Sequence, residues 1–160
     1  MVKLKKEYQF WKNKKILITG HTGFKGSWLT FWLNFLGSKI YGYSTMPDYK
    51  PIIYKNLEIK KKLVNEKIAD INDLSKFSKF IRHVKPEIVF HLAAQPLVRK
   101  SYLSPLETIK TNVIGTANVL NECRKLKSVK SIVIITTDKC YENIEKKNYQ
   151  YKENDKMGGY

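Results

Sequence analysis

Ile16-Leu17-Ile18-Thr19-Gly20-His21-Thr22-Gly23-Phe24-Lys25-Gly26-Ser27-Trp28 decides the fold, because an unbroken apolar run enters a loop with three glycines and leaves it in a helical pattern. Ile16 to Ile18 reads as a parallel strand, buried on both faces. Beyond the loop, Trp28, Phe31, Trp32, Phe35 and Leu36 recur at helical spacing, and Gly37 supplies a left-handed stop. Gly20 suits the tight strand-to-helix turn, Gly23 leaves room for a phosphate, and Gly26 lets the helix lie close to the strand. The helix N-terminus then offers open N–H groups and a positive dipole to an anion, so the segment reads as a pyrophosphate cradle.

Working outward, strands are expected at 15–19, 38–43, 66–70, 87–92 and 131–136, and helices at 24–36, 73–84 and 106–126. Strand three is the weakest of these. Pro47 and Pro51 break the region 45–65 before a lysine-rich stretch that suits a short helix. Asp73 has the character of a helix N-cap, with Phe77, Phe80 and Ile81 on the buried side, and Pro86 ends that helix before Ile88-Val89-Phe90. Alternating strands and helices favour a parallel sheet covered on both faces. In the doubly wound order the ends of strands one and four flank a crevice, so His91-Leu92-Ala93-Ala94-Gln95 faces the glycine loop. Ala93 and Ala94 are small enough to admit a flat cofactor ring, or they serve packing alone. Asp70-Ile71, ending strand three, can place a carboxylate near an adenine amino group.

Composition narrows the function. At 160 residues, with 42% hydrophobic residues, the chain suffices for one domain with a real core. Residues 28–36 are the most apolar run and are far too few to span a bilayer; no secretory signal is read, and a cytoplasmic protein without a membrane partner is expected. Cys123 and Cys140 lack ligand-like spacing and are expected as free thiols, and with His21, His83 and His91 scattered no metal site is expected. Lys and Arg total 30 against 14 Asp and Glu, a formal charge of +16. The lysines are spread along the chain without an arginine-aromatic cluster, which disfavours nucleic acid as the main partner. Strand two, Ile40-Tyr41-Gly42-Tyr43-Ser44, lacks the acid that often holds the ribose hydroxyls. NAD and NADP therefore both stay open from the residues, with Ser44 suiting either and Lys25 able to meet a phosphate.

The segments Gly20 to Leu29, His91-Leu92-Ala93-Ala94-Gln95-Pro96-Leu97-Val98-Arg99 and Thr137-Asp138-Lys139-Cys140-Tyr141-Glu142-Asn143 together resemble the CDP-glucose 4,6-dehydratases, within the extended short-chain dehydrogenase/reductase superfamily. The resemblance runs from about Phe10 to Tyr160. It implies an α/β fold, a Rossmann-like doubly wound parallel sheet truncated after about the fifth strand. The implied cofactor is NAD, bound by Gly20, Thr22, Gly23, Phe24, Lys25, Gly26, Asp70, Ile71, Leu92, Ala93, Ala94, Gln95 and Thr111. Asn112 is implied to support the active-site backbone, and Arg99 to lie towards the substrate, CDP-glucose or another sugar nucleotide. Thr137, Asp138 and Lys139 are the implied catalytic residues. Thr137 would orient the C4 hydroxyl, and the other two would supply one acid and one base for losing the C6 hydroxyl and the C5 proton, with Asp138 the expected acid. Related dTDP-glucose dehydratases carry glutamate where Lys139 stands, which favours the CDP-glucose branch.

Met157-Gly158-Gly159-Tyr160 resembles the segment just before the family's Tyr-x-x-x-Lys pair. Residues 1–160 are thus expected to form an incomplete NAD-binding domain, with the Tyr-Lys pair and substrate domain absent and part of one sheet face uncovered. Such a chain is expected to be inactive alone, whereas the full-length family is expected to form homo-oligomers. A non-catalytic dinucleotide-binding fragment, or a subunit completed by a second polypeptide, is the alternative from another class.

Overall fold

The computed structural model describes residues 8–47, 50–137, 140–145 and 147–158. Its elements are β1 (Lys15–Thr19), α1 (Phe24–Phe35), β2 (Lys39–Ser44), α2 (Ile52–Asn56), α3 (Ile59–Lys62), β3 (Asn65–Ile68), α4 (Leu74–Val84), β4 (Ile88–His91), α5 (Val98–Leu103), α6 (Pro105–Ile109), a π-helical segment (Lys110–Ile114), α7 (Gly115–Cys123) and β5 (Ser131–Ile134). The five strands form one sheet in the order β3-β2-β1-β4-β5, with every pairing parallel. This is the doubly wound Rossmann-like α/β fold that the alternation implies. The chain leaves β1 in one direction and returns past it to β4, so the carboxyl ends of β1 and β4 diverge and open a crevice.

Register assigns the core. Leu17 lies beside Tyr41 and Val89, while Ile16 and Ile18 lie beside Ile40, Ile88, Gly42 and Phe90. Side chains alternate across a sheet. Leu17, Tyr43 and Val89 therefore join Phe77, Phe80, Ile81, Val119 and Cys123 under α4 and α7. Ile16, Ile18, Ile40 and Ile88 join Leu33 under α1. Each fully buried Ile or Leu contributes about 1.5–3 kcal/mol. Asp73 caps α4 as expected, its carboxylate accepting the Lys76 N–H at 3.0 Å. Lys14 pairs with Glu87 at 2.8 Å and ties the start of β1 to the residue before β4.

The structure corrects the sequence reading in particular places. The aromatic stripe of α1 points away from the sheet, and the residues it buries are Gly26, Ser27, Thr30 and Leu33. Small side chains let the helix sit close: the Ser27 hydroxyl donates to the His21 carbonyl at 3.0 Å, and Thr30 donates to the Gly26 carbonyl at 2.8 Å. At the far end Gly37 adopts φ +80°, and the Ser38 N–H reaches back to the Leu33 carbonyl. β3 ends at Ile68 rather than at 70, so Asp70 lies two residues beyond the strand. The helix expected over 106–126 runs from Pro105 to Cys123 and is widened by the π-helical turn at Lys110–Ile114. Ahead of it stands α5, where the sequence suggested no helix, and the region 45–65 resolves into two short helices, α2 and α3.

β5 is an edge strand with apolar flanks. Val133 is 41% exposed on the α1 side of the sheet. On the other side an open groove of about 770 Å³ runs between α7 and β5, lined by Leu120, Leu126, Val129 and Ile132 among others.

Candidate functional site

The crevice is built from backbone first. Gly20 takes φ +76°, and a Cβ there would lie 2.7 Å from the Ala93 nitrogen and the Leu92 carbonyl carbon. The end of β4 thus presses directly on the loop. A Cβ on Gly26 would lie 2.1 Å from the Gly20 carbonyl oxygen, so the close approach this glycine permits is to the loop itself. Gly23 is the N-cap of α1 in extended geometry, with no side-chain cap and no acidic residue in the first turn. The first-turn N–H groups of a helix have no intrahelical acceptor, so those of Phe24, Lys25 and Gly26 point out of the helix end. With the exposed Lys25 beside them, this donor set fits a pyrophosphate.

The remaining cofactor candidates divide by what their side chains do. Leu92, Ala93, Ala94 and Gln95 follow β4 and adjoin Gly20, as the crevice requires. Gln95 is held from both sides by Asn112, whose Oδ1 accepts the Gln95 N–H at 2.7 Å and whose Nδ2 donates to the Gln95 carbonyl at 3.1 Å. Thr111 precedes Asn112 in the same π-helical turn. Thr22 is buried and committed: it pairs with the Ser44 hydroxyl at 2.9 Å and donates to the Thr45 carbonyl at 2.7 Å, fastening the loop to the end of β2. Phe24 turns its ring outward, leaving only its N–H at the crevice. The Ile71 side chain is core, packed against Gly115 of α7, so only its backbone is available. Asp70 is exposed, and its carboxylate accepts the Asn72 N–H at 2.8 Å. Arg99 lies exposed on α5. Thr137 is exposed beyond β5, on the carboxyl side of the sheet with the glycine loop. Asp138 and Lys139 lie outside the described residues.

Two buried histidines escaped the sequence reading as structural parts of the site. Thr19 Oγ1 accepts the N–H groups of Leu92 and Ala93 at 3.2 and 3.3 Å. Its own proton therefore goes to His91 Nδ1, 2.6 Å away. His91 Nε2 must then carry the proton and donate to Thr116 Oγ1 at 3.0 Å, and Thr116 donates onward to the Asn112 carbonyl at 2.7 Å. This directed chain joins β1, β4 and the π-helical turn, and it needs neutral His91. Burial pushes its pKa down to about 4. His21 folds its ring under the loop against Gly42, where a Cβ would lie 2.7 Å from it. Its Nε2 meets Glu66 Oε2 at 2.9 Å, and the Tyr54 hydroxyl donates to the same oxygen at 2.8 Å. Burial lowers the His21 pKa, with Glu66 opposing the shift. The signal in sequence was a histidine directly after the first glycine of the loop.

His91 makes stability pH-dependent with a fixed sign. The unfolded ring titrates near 6.5 and the folded ring near 4. Its contribution is complete above about pH 6.5 and is lost as pH falls towards 4, where about 3 kcal/mol is gone. Urea midpoints measured from pH 7 to pH 4 should fall accordingly, and His91→Gln should flatten the slope, the remainder belonging to His21 and, towards pH 4, to paired carboxylates such as Glu87, which Lys14 holds below its ordinary value. An unchanged slope in His91→Gln would remove His91 from this role.

No described helix is long and apolar enough to cross a membrane, and no cluster of described His, Cys, Asp and Glu could hold a metal. The family model described as GDP-mannose 4,6 dehydratase matches residues 17–158. The chain is 46% identical to a CDP-glucose 4,6-dehydratase of Salmonella typhimurium over 94% of its own length and 42% of the relative's. It is 33% identical to a UDP-N-acetylglucosamine 4,6-dehydratase (inverting) of Campylobacter jejuni over 79% of its length and 37% of the relative's. Among solved structures, UDP-glucose 4-epimerase from Bifidobacterium longum in complex with NAD+ and UDP superposes with a TM-score of 0.77 at 21% identity, covering 90% of this chain and 42% of that one. UDP-glucose 4-epimerase from Thermotoga maritima with UDP-glucose gives 0.76 at 26% identity, over 91% and 45%. The chain thus spans less than half the length of the relatives it matches.

Proposed function

The chain belongs to the GDP-mannose 4,6 dehydratase family, and on that premise we propose that it is the cofactor-binding part of an enzyme converting CDP-glucose to CDP-4-keto-6-deoxyglucose, with NAD as internal hydride carrier. The observation that carries the reading is the 46% identity to a CDP-glucose 4,6-dehydratase across 94% of the chain. The NAD-bound relative in the same fold supports the choice of cofactor.

Bound NAD would supply an internal hydride carrier between C4 and C6 of the sugar. The protein's tasks are to hold, orient and move protons. The first turn of α1 would hold the pyrophosphate, with Gly23 leaving room for it, Gly20 and Gly26 packing the loop against the end of β4 and the helix, and Lys25 adding charge. Leu92 to Gln95 would wall the cofactor along the end of β4, with Thr111 and the Asp70–Ile71 segment as further contacts. Thr137 orients the C4 hydroxyl. Once C4 is a ketone the C5 proton is acidic; Lys139 removes it first, and Asp138 then protonates the departing C6 hydroxyl, so one water leaves. A lysine base must be neutral to act, which a desolvated site or a neighbouring cation achieves. The Tyr-x-x-x-Lys pair that deprotonates the C4 hydroxyl in this reading is supplied by polypeptide beyond the sequence given.

CDP-glucose deuterated at C4 tests the proposal with the polypeptide that includes that pair. Deuterium should appear at C6 of the product without net consumption of NAD. No conversion, or washing of the label into solvent, would contradict it. The 160-residue chain alone is expected to show no turnover, and measurable turnover would refute that part.

A further inference from the structure

Leu92 to Gln95 is fastened at both ends, by side chains that belong to different elements. At its start Thr19 Oγ1, at the end of β1, accepts the Leu92 and Ala93 N–H groups at 3.2 and 3.3 Å. At its end Asn112, in the π-helical turn, takes both the N–H and the carbonyl of Gln95. The Gln95 side chain is occupied locally: Nε2 donates to the Leu97 carbonyl and the Thr108 hydroxyl, each at 3.1 Å, and Oε1 accepts the Leu97 N–H at 2.8 Å. Two backbone anchors thus set where the segment lies. Thr19 leads straight into Gly20, which meets Leu92 and Ala93 too closely to admit a Cβ. The width of the crevice therefore depends on holding the Asn112 anchor in step with the Thr19 anchor.

His91 spans the two. It is 2% exposed, and Thr19 is fully buried. Its Nδ1 lies 2.6 Å from Thr19 Oγ1 and its Nε2 3.0 Å from Thr116 Oγ1, which donates to the Asn112 carbonyl at 2.7 Å. The two hydroxyls have opposite needs. Thr19 Oγ1 receives two amide protons and gives its own to the ring, whereas Thr116 gives its proton to a carbonyl and receives one from the ring. A neutral imidazole protonated at Nε2 meets both, with acceptor and donor on opposite edges of one rigid ring. Burial, which disfavours the imidazolium, keeps the ring in that form. Asparagine at this position is long enough for Thr19 and too short for Thr116. Hydrogen bonds linked in this way polarise one another, so the anchors respond together.

We infer that His91 is a positioning residue of the dinucleotide site, its neutral ring the crossbar that holds the Leu92–Gln95 wall and the Asn112 turn at a fixed distance from the glycine loop. It acts through Thr19 on one side and through Thr116 and Asn112 on the other. The assignment rests on the cofactor reading above.

Calorimetric titration with NAD of the parent chain, Thr116→Val, Thr116→Ser, His91→Asn and the pair Thr116→Val with His91→Asn tests the crossbar. Thr116→Val should weaken NAD binding about ten-fold, His91→Asn should do the same, and the pair should lose little more than either alone. Thr116→Ser should restore the parent affinity. Gly37→Ala, which loses stability away from the crevice, should keep that affinity and so separates positioning from loss of stability. A second measurement needs no cofactor. In the ligand-free chain, nitrogen-proton NMR should find the His91 ring proton on Nε2. Exchange of the Ala93 N–H, which Thr116 does not touch, should quicken in Thr116→Val relative to the amides of β1. Undiminished affinity in Thr116→Val, failure of serine to rescue it, additive losses in the pair, or a ring protonated on Nδ1 would each overturn the crossbar. A parent that binds no NAD, yet shows the Nε2 proton and the quickened Ala93 exchange, would overturn the cofactor reading alone.

Discussion

Gly26→Ala is expected to cost at least about 3 kcal/mol and to abolish dinucleotide binding. The added Cβ would lie 2.1 Å from the Gly20 carbonyl oxygen and 2.8 Å from the Gly20 carbonyl carbon and the His21 Cα. All three are backbone atoms, so no rotamer relieves the overlap. Retreat of the loop is blocked as well, because Gly20 is pressed on Leu92 and Ala93 and sits at φ +76°. His21 is wedged beneath against Gly42. The helix must therefore move outward, carrying its first-turn N–H groups away from the phosphate position. Gly37→Ala is the control: its φ is +80°, yet the nearest atoms to its Cβ are 3.7 Å away, and it should lose only about 1–2 kcal/mol of backbone strain. Urea unfolding of both variants checks the difference. Equal stability would show that the loop and helix are not packed as described.

In the polypeptide that includes the Tyr-x-x-x-Lys segment, Lys139→Ala should lower turnover of CDP-glucose by about 10²–10⁴-fold and abolish exchange of the C5 hydrogen with solvent. Asp138→Asn should slow turnover within the same range but leave C5 exchange in place, since proton removal precedes loss of the hydroxyl. The two readouts separate base from acid. C5 exchange untouched in Lys139→Ala would make the base assignment wrong, and its loss in Asp138→Asn alone would exchange the roles.

The fold was legible where short-range rules act. An apolar run, glycines at the turn and at Gly37, and Asp73 before α4 each leave a local mark, and each stands in the structure where that mark lies. Periodicity placed α1 but not its orientation. An aromatic stripe gives an angle around the helix, whereas the buried side was decided by Ser27 and Thr30, whose small hydroxyl side chains permit close packing and satisfy local carbonyls. The π-helical turn at Lys110–Ile114 was invisible because one extra residue in a turn barely changes the apolar spacing. The histidine networks were hidden for another reason: Thr19 and His91 are 72 residues apart, and His21 and Glu66 are 45 apart, so only the sheet order brings them together. For the crevice, residue type marked Gly20 and Gly26 as backbone devices, which their close contacts bear out; the resemblance implied Thr22 at the cofactor, and its hydroxyl is held by Ser44 and Thr45 at the end of β2.

Calorimetric titration of the purified chain with NAD tests the central claim most directly, since the crevice between the glycine loop and the end of β4 is held to be a dinucleotide site. One saturable site per chain is predicted, absent in Gly26→Ala and retained in Gly37→Ala. A chain that is folded by circular dichroism yet shows no saturable NAD binding, or that binds NAD equally well as Gly26→Ala, would contradict the account.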